Sequence, residues 1–278
     1  MLEKSPRAYF DWQQHFELHC LNDRSGIDRI KAQVELQYAL TEAIKYVSTQ
    51  GITRAIWSNE SIFDTSSLVI PVLTKLIELG INIHIIVYIR RHDAWLRSAY
   101  LQWGIKHKSY LGKIKSFSEW SKENFSNYAA KLDPWLKQQK WATIAVKNFD
   151  VTGDVVKDFF EYCDLYDPSI HIVRSNETPN NVCLAIWAMY NAQFDRVVLH
   201  SDMGLLLENA DLLNKNLREC DLNNLLPSSK DIEELVLVAE QDRNAVNTIF
   251  SRFSQPAMKT TELKIAQEVV TQNKINTC

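Results

Sequence analysis

Glycine is scarce in this 278-residue chain, and none of it is clustered. The seven glycines, at 26, 51, 80, 104, 112, 153 and 204, each stand alone. A loop that cradles phosphate needs neighbouring glycines so that successive backbone N–H groups can approach the anion. There is accordingly no GxGxxG and no GxxxxGK[ST], which removes the common dinucleotide and Walker-type nucleotide sites. A nucleotide kinase is disfavoured on the same ground. The five cysteines, at 20, 163, 183, 220 and 278, form no CxxC pair. That speaks against a zinc ribbon or a disulfide framework and for reduced thiols in a cytoplasmic protein. His15 and His19 are four apart, but no HExxH frame surrounds them, so no metal is expected. No GxSxG elbow is present.

Long apolar runs are missing too. The most apolar strand-like stretch, Ile81–Ile89, has nine residues, too few to cross a bilayer as a helix. The opening MLEKSPRAYFDW has no apolar core of a signal peptide. The net charge of -3 argues against a dedicated nucleic-acid binder. What the chain does have is an ordinary globular composition, 46% hydrophobic, able to fill a sizeable core.

The periodicity alternates. Apolar residues at Ile27, Ile30, Val34, Leu36, Leu40, Ile44 and Val47 predict a helix over 27–50, stopped by Gly51. A short strand is expected at 54–58, a helix over 61–80, and a strand at 83–89 that is apolar on both faces, as in a parallel sheet. A helix follows from Asp93 as N-cap to about Gly104. The stretch KHKSYLGKIK reads as a solvated basic loop. Further elements are a helix over 117–138 with a break at Asp133-Pro134, a strand over 141–149 and a helix over 155–166. After Pro179 the chain reads as helices at 182–194, 205–220 and 231–253. Strand–helix alternation predicts an α/β fold, a parallel sheet flanked by helices. We read one domain over 1–278: a helical N-terminal segment to 50, an α/β core over 51–175 and a helical remainder.

Ligands of open parallel sheets gather beyond the carboxyl ends of the strands. Three such ends are legible: Ser58-Asn59-Glu60, Arg90-Arg91, and Lys147 to Asp150. Glu60 is the candidate general base on this rim, with a helix first-turn acid as its structural alternative. Arg90 ends the apolar strand, and Ser98 follows eight residues later in the next helix. A guanidinium can hold two oxygens of one phosphate and a hydroxyl a third, so the pair forms an anion clamp that needs no glycine.

The segment YIRRHDAWLRSAYLQW resembles the 3′-phosphate-binding motif of sulfotransferases that use 3′-phosphoadenosine 5′-phosphosulfate (PAPS), in particular their bacterial branch. In that family a strand-terminal arginine and a serine eight residues on contact the 3′-phosphate, positions matched by Arg90 and Ser98. IWSNESIFD, ATIAVKNFD, DVVKDFFEYCDL, VRSNETPNN and LLPSSKDIEELVLVAEQDRNAVNTIF are similar to later family segments in the same order, and the likeness spans residues 51–253. It implies a P-loop NTPase-like three-layer αβα fold, PAPS as donor and 3′-phosphoadenosine 5′-phosphate as product, no obligatory metal, and a carbohydrate or similar small acceptor. It also implies nucleotide contacts from Arg174 and Asn176. The family's loop of lysine, glycine and threonine or serine, which binds the 5′-phosphosulfate, has no counterpart ahead of the helix at 27–50. Lys4-Ser5-Pro6 has no preceding glycine, and Pro6 lacks an N–H. Two expectations therefore stand: a sulfotransferase whose donor loop lies upstream, or a non-catalytic relative retaining only the clamp. Without the loop-bearing strand, an open sheet edge would favour homo-oligomers.

Overall fold

The stops of the first two helices are set by glycine. The computed structural model describes residues 29–169, 181–198 and 225–260. Helix α1 (Arg29–Thr49) is followed by Gly51 at φ +70°, and α2 (Ser66–Glu78) by Gly80 at φ +84°. Gly51 and Ile52 donate their N–H groups to Ser48 O (3.1 Å) and Val47 O (3.0 Å); Gly80 and Ile81 donate to Ile77 O (2.8 Å) and Leu76 O (3.2 Å). This double closure of a helix end requires a left-handed residue, and glycine adopts that conformation without a Cβ penalty.

The remaining elements run β1 (Ile83–Ile89), α3 (His92–Ala99), a π-helical turn Tyr100–Lys106, α4 (Phe117–Asn124), α5 (Tyr128–Leu136), β2 (Ala142–Asn148), α6 (Val155–Tyr162), α7 (Asn181–Asn191), α8 (Ser229–Val238) and α9 (Glu240–Arg252). β1 and β2 pair in parallel, and the described residues form a mostly helical α/β structure.

Several expectations are corrected. Residues 52–59 carry no strand, and most of them are exposed. Their β-branched and aromatic residues supply local preference, but a strand exists only where a partner completes its hydrogen bonds. The sheet among the described residues therefore has two strands, not three. The helix over 117–138 breaks at Phe125, whose backbone is extended (φ -59°, ψ 132°), while Pro134 lies inside α5. The helix over 231–253 divides at Ala239 into α8 and α9. Asp93 is not the cap of α3: Arg91 holds that position, and Asp93 lies in the first turn. The helix at 205–220 lies outside the described residues.

Contacts along the chain form two compact units, one of residues up to 86 with 128–145, the other of 87–127 with 146 onward. In the first, Leu36 of α1, Leu68, Val69, Val72 and Leu76 of α2, and Trp135 of α5 close a core. On α2, Leu68, Val72 and Leu76 sit four apart and Val69 three before Val72, which is the spacing of one buried face. Trp135 donates its indole N–H to Phe63 O (3.2 Å), and Gln33 bridges to Leu68 O (2.9 Å).

In the second unit the core joins Leu96 and Tyr100, Phe117 and Trp120, Leu184 and Trp187, and Leu235. Gly104 is required by packing here. A Cβ at that position would lie 2.3 Å from Cδ2 of the buried Tyr100 ring. Capping boxes start α4 (Ser116 with Glu119) and α8 (Ser228 with Asp231), each satisfying two orphan N–H groups.

Candidate functional site

Residues just past the two strand ends meet in the second unit. β1 gives way to Arg90 and Arg91 before α3, and β2 to Phe149 and Asp150. Arg91 donates its backbone N–H to Asp150 Oδ2 at 2.7 Å. Asp150 is itself held by its N–H, which donates to Asn148 Oδ1 at 3.0 Å. Asn148 is buried; its N–H donates to Gln255 Oε1 (3.1 Å) and its side-chain amide to Pro256 O (3.0 Å). A chain of hydrogen bonds thus fixes the rim at one point.

Arg90 lies against this network without being absorbed by it. Its guanidinium carbon stands 5.1 Å from the centroid of the Phe149 ring, a distance at which the ring face attracts a cation. Nε is 4.0 Å from Asp150 Oδ1, beyond hydrogen-bond reach. That Nε is buried and makes no hydrogen bond. The side chain as a whole remains 38% exposed, so Arg90 is partly open to solvent while its Nε is buried without a hydrogen bond. Buried polar atoms without a protein partner are uncommon, and strain, an ordered water or a ligand each account for such an atom.

The other residues expected from the sequence are distributed as follows. Ser98 is exposed on α3, in the same unit as Arg90. Glu60 is exposed and opens the 3₁₀ turn Glu60–Thr65. That is the first-turn position of its structural alternative, and it belongs to the first unit. Arg174 and Asn176 lie outside the described residues, as do His15 and His19.

Three charged features were not legible in the sequence. The first is a network between the strands and α6. Tyr88 donates its hydroxyl to Asp158 Oδ2, and Lys147 Nζ reaches the same oxygen at 2.6 Å. Lys147 also stands over the Tyr162 ring, 4.8 Å from its centroid. Burial pushes the Asp158 carboxyl up, but the ammonium and the phenol together outweigh it and hold the group below the usual carboxylate range. Burial and then the Asp158 hydrogen bond push the Tyr88 phenol well above its ordinary value.

The second is the contact of His92 Nε2 with Asp242 Oδ2 at 2.7 Å, with the imidazole stacked on Phe125 at 5.4 Å and 9°. Beside it, Arg91 Nε reaches Asp93 Oδ1 at 3.3 Å, and both side chains are buried. The third feature corrects the solvated basic loop. Lys108 is wholly buried at φ +33° and donates to Arg196 O (2.9 Å) and Tyr110 O (3.2 Å). Burial lowers its pKa, with Asp195 opposing and Arg196 reinforcing the shift.

No protein family, curated protein or solved structure matches the chain. Among the described residues no helix is long and apolar enough to cross a membrane. The chemistry open to the rim follows from its own groups. A partly exposed arginine held on an aromatic face beside a helix start suits an oxyanion better than a cation or an apolar ligand.

Proposed function

We propose that the chain is a sulfotransferase-like protein whose strand-end arginine holds the 3′-phosphate of PAPS. The observation that carries this reading is the buried, unpartnered Nε of Arg90 at a strand-to-helix junction. The exposed Ser98 stands eight residues further along, in α3. Arg174 adds a nucleotide contact by resemblance. The fold is then a P-loop NTPase-like three-layer arrangement of which β1 and β2 are two strands, and the protein is cytoplasmic.

The reaction moves a sulfuryl group to a hydroxyl or amine of a carbohydrate or similar acceptor. The bond between sulfur and the bridging phosphate oxygen breaks, and a bond from sulfur to the acceptor atom forms. The acceptor's proton passes to a carboxylate, for which Glu60 is the sequence candidate, and 3′-phosphoadenosine 5′-phosphate departs. Rate enhancement in such in-line transfer comes from positioning and from charge stabilisation on the leaving group.

A second reading is a non-catalytic relative that keeps only the 3′-phosphate clamp. It needs the strand-end arginine alone and no 5′-phosphosulfate loop, for which the isolated glycines of residues 1–278 offer no candidate. Incubation with sulfur-labelled PAPS and a panel of oligosaccharides separates the two. Labelled acceptor supports the enzyme. Nucleotide binding without transfer supports the relative, and neither binding nor transfer removes both.

A further inference from the structure

We infer that Asp150 is a built-in counter-anion that weakens the Arg90 site for its phosphate ligand; this rests on the 3′-phosphate reading above. An aspartate beside an arginine usually forms a hydrogen-bonded salt bridge, but this pair is an ion pair at the outer limit of distance, with no hydrogen bond from Nε. Asp150 Oδ1 lies 4.0 Å from Arg90 Nε, outside hydrogen-bond range. The carboxylate is positioned by other groups: Arg91 N–H donates to Oδ2 at 2.7 Å, and the Asp150 backbone is held through Asn148. Asn148 is 1% exposed and anchored to Gln255 and Pro256, and Thr152 donates its hydroxyl to Asn148 O at 2.9 Å. The carboxylate therefore stays in place whether or not Arg90 is engaged.

Two consequences follow. The fixed negative charge offsets part of the guanidinium's field while leaving its Nε without a hydrogen-bond partner. An arriving dianion can approach the exposed part of the Arg90 side chain, but it meets the repulsion of a carboxylate that is only 19% exposed. Such repulsion is strongest for a ligand bearing a doubly charged group at this point, and weak for one lacking it. Asp150 thus sets affinity without touching the reacting atoms, and would hasten release of a 3′-phosphorylated product.

The test is equilibrium dialysis of the full chain with 3′-phosphoadenosine 5′-phosphate and, separately, adenosine 5′-phosphate. The variants are Asp150→Asn, Arg90→Ala and their combination. Asparagine keeps an oxygen to accept the Arg91 N–H while removing the charge, and circular dichroism melts verify that each variant folds. We expect Asp150→Asn to bind the 3′-phosphorylated probe about tenfold more tightly at low salt, as removal of a carboxylate beside the phosphate-binding guanidinium in a partly hydrated site implies. The gain should be small for adenosine 5′-phosphate and absent when Arg90 is also replaced. Binding by the parent with equal or weaker binding by Asp150→Asn overturns this inference and leaves the clamp standing. An equal gain for both probes, or a gain that survives loss of Arg90, also overturns it. No binding of the 3′-phosphorylated probe by parent or variant removes the clamp itself. Should Asp150→Asn fail to fold, the salt dependence of the parent decides. Net repulsion that offsets Arg90 predicts a shallower loss of affinity with salt than in Asp93→Asn, whose carboxylate pairs with Arg91 instead.

Discussion

His92 and Asp242 meet at 2.7 Å, Nε2 to Oδ2, with each side chain only 4% exposed. The contact joins the first residue of α3 to the first turn of α9, 150 positions later. Removing one member takes from the other a short, buried polar contact. Asp242→Ala should therefore cost about 2–4 kcal/mol of folding stability, the range between an orphaned buried hydrogen-bonding group and a broken buried ion pair. Urea unfolding of both single variants and the double variant checks this. The double variant should lose clearly less than the sum, and strict additivity would show that the two do not interact.

The Tyr88–Lys147–Asp158 network predicts an acid-sensitive limb. The Asp158 carboxyl is held below its ordinary value in the folded chain. The unfolded chain then takes up a proton first as pH falls, so the contribution is complete above about pH 4 and is lost below it. Asp158→Asn should flatten the fall in stability in that range. Denaturant midpoints measured from pH 6 to 3 for parent and variant read this directly.

Lys108 gives the opposite sign. Its folded pKa is lowered by burial. Between that value and the ordinary lysine value of about 10.4, the unfolded state binds more protons, so stability rises with pH across the window. Lys108→Met should remove the rise. Thermal melts from pH 7 to 10.5 check it, and an unchanged slope in the variant would locate the titration elsewhere.

Gly104 is a packing requirement. Alanine there brings a Cβ within 2.3 Å of the Tyr100 ring, whose hydroxyl is tied to Lys115 O at 2.9 Å. Alanine gains about 1 kcal/mol in helix propensity over glycine. Overpacking of a closed core costs about 1–3 kcal/mol. We expect Gly104→Ala to be net destabilising by about 1 kcal/mol, measurable as a lower Tm.

What the sequence made legible was local. The strand expected at 83–89 is β1 to the residue, and β2 lies within 141–149. The stops at Gly51 and Gly80 follow from a chain conformation that the residue type itself permits. The strand expected at 54–58 failed because its existence depends on a partner, not on its own residues. The site divides in the same way. Arg90 at a strand end and Ser98 in the next helix could be read from spacing alone. The hold of Arg91 on Asp150 joins residues 59 apart, and that of His92 on Asp242 joins residues 150 apart. No periodicity encodes such pairings. The burial of Lys108 was hidden because a run of lysines reads as solvated until the partners of each are known.

The proposed function requires that Arg90 hold a ribose 3′-phosphate. Isothermal titration calorimetry with 3′-phosphoadenosine 5′-phosphate, on the parent chain and on Arg90→Ala, addresses it most directly. Saturable binding by the parent is expected, with a loss of about 1.5–3 kcal/mol in the variant, the scale of a charged hydrogen bond. Equal affinity in the two proteins, or no heat of binding in the parent, would contradict it.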